Sequence, residues 1–101
     1  MLNEFSFEQL QRLPAAEIFG SGSNVFEVIY TVNNVPSKVW INARDYKTAI
    51  GFFCKRYGLG KATTEAYSVT SMKLRYWRIH AQDAATGVRK YDDALIRRVR
   101  Q

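Results

Sequence analysis

Residues 25–42 read VFEVIYTV-NN-VPSKVWIN, and this stretch decides the fold class. Phe26, Val28, Tyr30 and Val32 alternate with Val25, Glu27, Ile29 and Thr31, and β-branched and aromatic types dominate. Successive side chains of a strand point to opposite faces, so this alternation predicts a strand over Val25–Val32. Asn33-Asn34 takes up positive φ at little cost, which suits a tight hairpin turn. Val35–Asn42 is then the return strand. Pro36 has no N–H to give to a ladder, so its end of that strand belongs at an edge or at the strand start. Trp40 on the same strand has two readings: a core residue, or an anchor for a partner, a role in which Trp is enriched.

Downstream, Asp45 is a good N-cap for a helix over Tyr46–Tyr57, in which Ala49, Phe52, Phe53 and Tyr57 form one apolar stripe. Lys55 and Arg56 complement the negative end of its dipole, and Gly58 suits the residue just past its end. Upstream, Ser6 followed by Gln9 is a capping-box pattern and predicts a short helix over Phe5–Leu13, with Phe7, Leu10 and Leu13 on one face. Pro14 ends it or opens a further short turn through Ile18, and Gly20-Ser21-Gly22-Ser23 reads as a flexible connector.

In the second half, Gly60–Ala66 reads as a loop, and Tyr67–Gln82 as one long or two short strands. Asp83–Gly87 reads as a turn and Val88–Tyr91 as a returning strand. The tail fits either a short helix capped by Asp92 or Asp93, or a strand alternating Leu95, Arg97 and Val99 with Ile96, Arg98 and Arg100; the strand is preferred. The expected fold is α+β, in the order α-β-β-α-β-β: a small antiparallel sheet of about four strands with one or two helices packed on it. The 101 residues are expected to form a single domain, 1–23 as N-terminal helix and connector and 24–101 as the main body. With 47% hydrophobic and 14% aromatic residues, the composition is that of a chain that folds.

Charge is the main functional signal. Residues 1–50 hold four Lys/Arg and five Asp/Glu, whereas residues 51–101 hold eleven Lys/Arg and four Asp/Glu, so the first half carries about −1 and the second about +7 of the formal +6. There the cations interleave with rings: Lys73, Arg75, Tyr76, Trp77 and Arg78, then Arg89, Lys90 and Tyr91, then Arg97, Arg98 and Arg100. A one-sided basic surface concentrates polyanions, and aromatic faces on a sheet can stack bases while guanidinium groups hold phosphates. The candidate nucleic-acid-binding residues are Arg75, Trp77, Arg78, Arg89, Lys90, Arg97, Arg98 and Arg100. Each also has a plain structural reading: strand aromatics pack in cores, and arginines snorkel to water.

Other chemistries find little support. One histidine, His80, and one cysteine, Cys54, do not make a four-ligand zinc site alone, and no phosphate-binding glycine motif is present. Cys54 lies beside Phe52 and Phe53 and reads as a small core residue with no catalytic role. Asp92 and Asp93 are adjacent, so in a strand they would face opposite ways, a poor arrangement for shared acid–base work. No catalytic residue, metal or cofactor is expected. The lone cysteine excludes an intramolecular disulfide, and no apolar run approaches the ~20 residues needed to cross a bilayer. The start lacks a signal-peptide pattern, so a cytoplasmic location away from membranes is expected.

No ribonucleoprotein aromatic motif or KH-type Gly-x-x-Gly loop occurs. The sequence therefore points to a non-enzymatic binding domain contacting DNA or RNA through its basic half. The alternative partner is an anionic protein or nucleoprotein complex, with the chain acting as a protein-binding accessory or inhibitor factor of a phage or other mobile element directed at a defence or nucleoprotein complex. A small enzyme or toxin is the least supported reading.

Overall fold

The structure, a computed structural model, describes residues 2–69, 74–83 and 93–99. A 3-10 turn at Leu2–Glu4 precedes helix α1 (Phe7–Gln11). Then follow strands β1 (Ile18–Gly20), β2 (Asn24–Val32) and β3 (Val35–Ala43), helix α2 (Tyr46–Arg56), and strands β4 (Leu59–Val69), β5 (Leu74–Asp83) and β6 (Asp93–Arg98).

The hairpin read from residues 25–42 is present. β2 and β3 pair antiparallel from Asn24↔Ala43 to Val32↔Val35. Asn33 and Asn34 take φ of 53° and 63°, the doubly left-handed turn that matches strand twist. Pro36 pairs only with Thr31, because β1 reaches β3 only at residues 40–42, so the proline sits where a missing N–H costs no ladder bond. Helix α2 is capped as its sequence predicts: the Thr48 amide donates to Asp45 Oδ1 at 2.8 Å. The α1 capping box is formed in both directions, Gln9 N to Ser6 Oγ at 3.1 Å and Ser6 N to Gln9 Oε1 at 2.7 Å.

The expected four-stranded antiparallel sheet and the order α-β-β-α-β-β are not what forms. The chain builds one six-stranded mixed sheet in the order β1-β3-β2-β6-β5-β4, curled into a half-barrel. Two strands account for the difference. β1 is three residues long and runs parallel to β3 (Ile18↔Trp40 to Gly20↔Asn42), a pairing with no local sequence signal. β4 covers the stretch read as a loop, because Gly60, Lys61, Thr63 and Thr64 show no apolar alternation; it is an edge strand, where such residues are tolerated. A register shift between Leu59 and Ala62 bends it. The tail is a strand, as preferred, but it lies between β2 and β5. The expected turn at 83–87 and return strand at 88–91 lie, apart from Asp83, outside the described residues.

The glycines of the supposed connector have a steric task. A Cβ on Gly20 (φ +89°) would lie 2.3 Å from the Asn42 carbonyl oxygen, and one on Gly22 (φ +151°) would lie 2.2 Å from the Ala43 carbonyl carbon. Residues 20–22 are thus a tight crossing against the end of β3, where a side chain does not fit.

Helix α2 touches β3 and β6 and also β4 at the far edge, so the curled sheet wraps it. Its inner core contains Val28, Val39, Ile41, Phe53, Ile79 and Ile96. The opposite, outer face of the sheet is covered by the N-terminal segment, where Leu2 and Leu10 pack on Ile29 and Leu95, with Phe5, Phe7 and Leu13 beside them. β2 is therefore buried on both faces: Val28 on one side, Ile29 on the other.

Candidate functional site

Because β2 is covered on both sides, the polar members of its alternation do not reach water. Glu27 is 2% exposed and Lys38 is 3% exposed. Antiparallel register sets Glu27 beside Trp40 of β3 and Arg97 of β6, all on the outer face. Lys38 lies diagonally across, opposite Ile29. Three donors converge on the Glu27 carboxylate. Lys38 Nζ lies 3.1 Å from Oε1, the Trp40 indole N–H donates to Oε1 at 3.1 Å, and Arg97 Nε donates to Oε2 at 2.9 Å. Lys38 also donates to the Gln11 carbonyl at 3.0 Å, which ties the end of α1 down onto the sheet. The Arg97 guanidinium carbon stands 5.8 Å from the Phe7 ring centroid. Buried charges persist only when paired and hydrogen-bonded, and this cluster meets both conditions.

The cluster forms the floor of a cleft of about 670 Å³ between the N-terminal segment and the outer sheet face. Its walls are mostly apolar, with Leu13, Pro14 and Ile18 on one side and Val25 and Val99 on the other; Asn42 and Gln11 add amides. Ile18, 60% exposed, and Trp40, 37% exposed, are register partners at its mouth. The volume falls in the range of about 300–1,000 Å³ typical of small-molecule sites. Neither Glu27 nor Lys38 stood out in the sequence, because a strand alternation reads its polar positions as solvent-facing until something is known to cover them.

A second charged cluster clamps the segment before β1 to the end of α2. Arg56 grips Glu17 with two bonds, Nε to Oε1 at 2.9 Å and Nη2 to Oε2 at 3.0 Å, and the Tyr57 hydroxyl donates to Oε1 at 3.0 Å. The Arg56 hydrogen bond, followed by that of Tyr57, holds the Glu17 carboxyl below its ordinary 4.5. Burial, followed by hydrogen bonds with Tyr30 and Glu17, pushes the Tyr57 phenol well above its ordinary range. A carboxylate with a depressed folded-state pKa binds fewer protons folded than unfolded. Its contribution is therefore complete above its ordinary value of 4.5 and fades as pH falls through the lower folded value. Glu17→Gln is expected to flatten that part of the acid limb in a plot of stability against pH. Urea melts of both proteins between pH 7 and pH 2.5 check this; parallel acid limbs would show that the clamp contributes nothing.

The candidate nucleic-acid residues divide between faces. On the outer face Arg78, paired with Leu95, is the diagonal neighbour of Arg97. On the inner face Trp77, paired with Ile96, is the diagonal neighbour of Arg98. Trp77 is half-buried, packs on the core, and stacks on Tyr46 with ring centroids 4.6 Å apart and planes 7° apart. Arg98 is exposed, and the backbone of Arg75 pairs with Ser68. Arg89, Lys90 and Arg100 lie outside the described residues. Trp40, read as either core or anchor, combines the two: its N–H is bound to Glu27 while part of the ring meets solvent.

Cys54 is buried on α2 within the inner core, and burial pushes its thiol up, away from the reactive thiolate. Among the described residues no group of three or more His, Cys, Asp or Glu side chains is placed to hold a metal, and no helix is long and apolar enough to cross a membrane. No family model matches the chain, and neither a curated protein nor a solved structure matches it.

Proposed function

We propose that this chain is a binding domain for nucleic acid, held through phosphates at one end of the sheet. The supporting observation is the strand register. β6 pairs with β2 up to Phe26↔Arg98, whereas its pairing with β5 ends at Trp77↔Ile96. The start of β5, with Arg75, and the end of β6, with Arg97 and Arg98, therefore come to the same end of the sheet and separate there. Arg44 follows β3 at that end too, since Ala43 pairs with Asn24 at the start of β2, and its side chain is exposed. Past Trp77, β4 and β5 continue as a two-stranded ribbon from Tyr67↔Tyr76 to Val69↔Leu74, an element of a size that a major groove admits. Arg97 serves this end indirectly, because its guanidinium is engaged by Glu27.

The contacts are electrostatic and tolerant of sequence. Each phosphate contact adds roughly 0.7–0.9 to the salt slope of log K. Arg44→Ala with Arg98→Ala is expected to weaken binding and lower the slope by about one to two, with the fold intact because both side chains are exposed. Fluorescence anisotropy with single- and double-stranded DNA and RNA measures this. No binding at tens of micromolar protein and ~50 mM salt, a level that non-specific binders reach, would overturn the reading.

A second reading, a protein-binding accessory factor, draws on Val32 and Val35, exposed register partners beside the hairpin turn. A stoichiometric protein complex that survives nuclease would favour it.

A further inference from the structure

We infer that the cleft above Glu27 is a binding site for a small organic monoanion with an apolar body, a ligand distinct from the nucleic acid proposed above. Charge is the first argument. Among the described residues the charged groups lining the cleft are two cations, Lys38 and Arg97, and one carboxylate, Glu27, so the lining itself favours an anion over a cation. A charge held away from water is stabilised by an opposite one, and one carboxylate group supplies it. Donor geometry is the second argument. An ammonium has three N–H bonds, and Lys38 spends one on Glu27 and one on the Gln11 carbonyl, which leaves one for a ligand in the cleft that Lys38 lines. The third argument is shape and polarity. Leu13, Ile18 and Val99 line an apolar space above that floor, Trp40 offers an aromatic surface, and Ile18 stands exposed at the entrance. An apolar cavity with a few converging polar groups is the usual form of a small-ligand site.

The bland alternative is that the ion cluster only staples residues 11–17 to the sheet. A staple has no preference among solutes, whereas a site has one for charge and shape. The Trp40 indole N–H, bonded to Glu27, is a direct reporter, and the variant Trp77→Phe leaves it the sole indole signal in a proton–nitrogen NMR spectrum. The probes are 3-phenylpropionate, its uncharged amide and inorganic phosphate. The acid is expected to shift the Trp40 signal saturably, with an affinity about tenfold or more above that of the amide or of phosphate.

Two variants test the placement. Lys38→Met removes the donor and leaves Glu27 paired with Arg97. Ile18→Glu puts a like charge at the mouth on an exposed side chain, so it stands if Lys38→Met fails to fold. Each is expected to weaken the acid about tenfold and leave the amide within about twofold. The proposal is overturned by any of three results: no saturable shift at about 10 mM acid, equal affinity for acid and amide, or unchanged acid affinity in a folded variant.

Discussion

Phe53→Ala is expected to lose about 3–5 kcal/mol of stability, the cost of truncating a buried aromatic whose surroundings cannot collapse into the space. Phe53 is fully buried on α2 inside the curl of the sheet, with Tyr30 and Tyr57 ring centroids at 5.3 Å and 5.1 Å. Tilted ring pairs at such distances add about 0.5–1.5 kcal/mol beyond area burial. The helical stripe gave Phe52 equal weight, but Phe52 is only partly buried and packs at the margin of the inner core. Phe52→Ala should therefore cost clearly less. Urea unfolding with an unchanged m-value measures both. A loss below about 1 kcal/mol for Phe53→Ala, no more than an average substitution causes, would show that α2 does not fill the half-barrel.

Glu27→Gln is expected to be nearly as damaging, about 3–5 kcal/mol, although it exchanges a single atom. It removes the carboxylate that Lys38 and Arg97 share, in a place where both side chains are largely shielded from water. Either variant would remove a large part of the 5–15 kcal/mol that holds a typical domain folded. The informative contrast is the triple variant Glu27→Leu, Lys38→Met, Arg97→Met. Replacing a whole buried ion cluster by apolar side chains is often neutral or stabilising, so this protein should recover most of the loss. Equal instability of the single and triple variants would mean that Glu27 matters for packing and not for charge.

Individual elements, though not the architecture, were legible where local signals act alone. The alternation over 25–32, the Asn-Asn turn and the Asp45 cap each describe an interaction within a few residues, and each is present. β1 and β4 were not legible, because three residues beside β3 and a threonine-bearing edge owe their conformation to a neighbour elsewhere in the chain. The same reason hid the cleft. Covering the outer face takes α1, and α1 meets it through Leu10 against Ile29 and Leu95, contacts that no periodicity reveals. The cationic run was visible as composition, but strand alternation sends Arg97 and Arg98 to opposite faces. Arg97 then meets a carboxylate 70 residues earlier in the chain. The end of the sheet at which Arg97 and Arg98 lie follows only from the strand register.

The position of β6 bears on how fast the protein can fold. β6 is the strand latest in sequence, yet it is the seam between β1-β3-β2 and β5-β4. Its partners on β2 are Phe26 to Thr31, so the hairpin that forms most readily must wait for the most distant segment before its free side is paired. Closing so long a loop is penalised before any contact compensates, and sheets dominated by such pairings fold in about milliseconds to seconds. Until β6 docks, β2 and β5 each present an unpaired edge, and in that interval the chain is most open to pairing with another copy of itself.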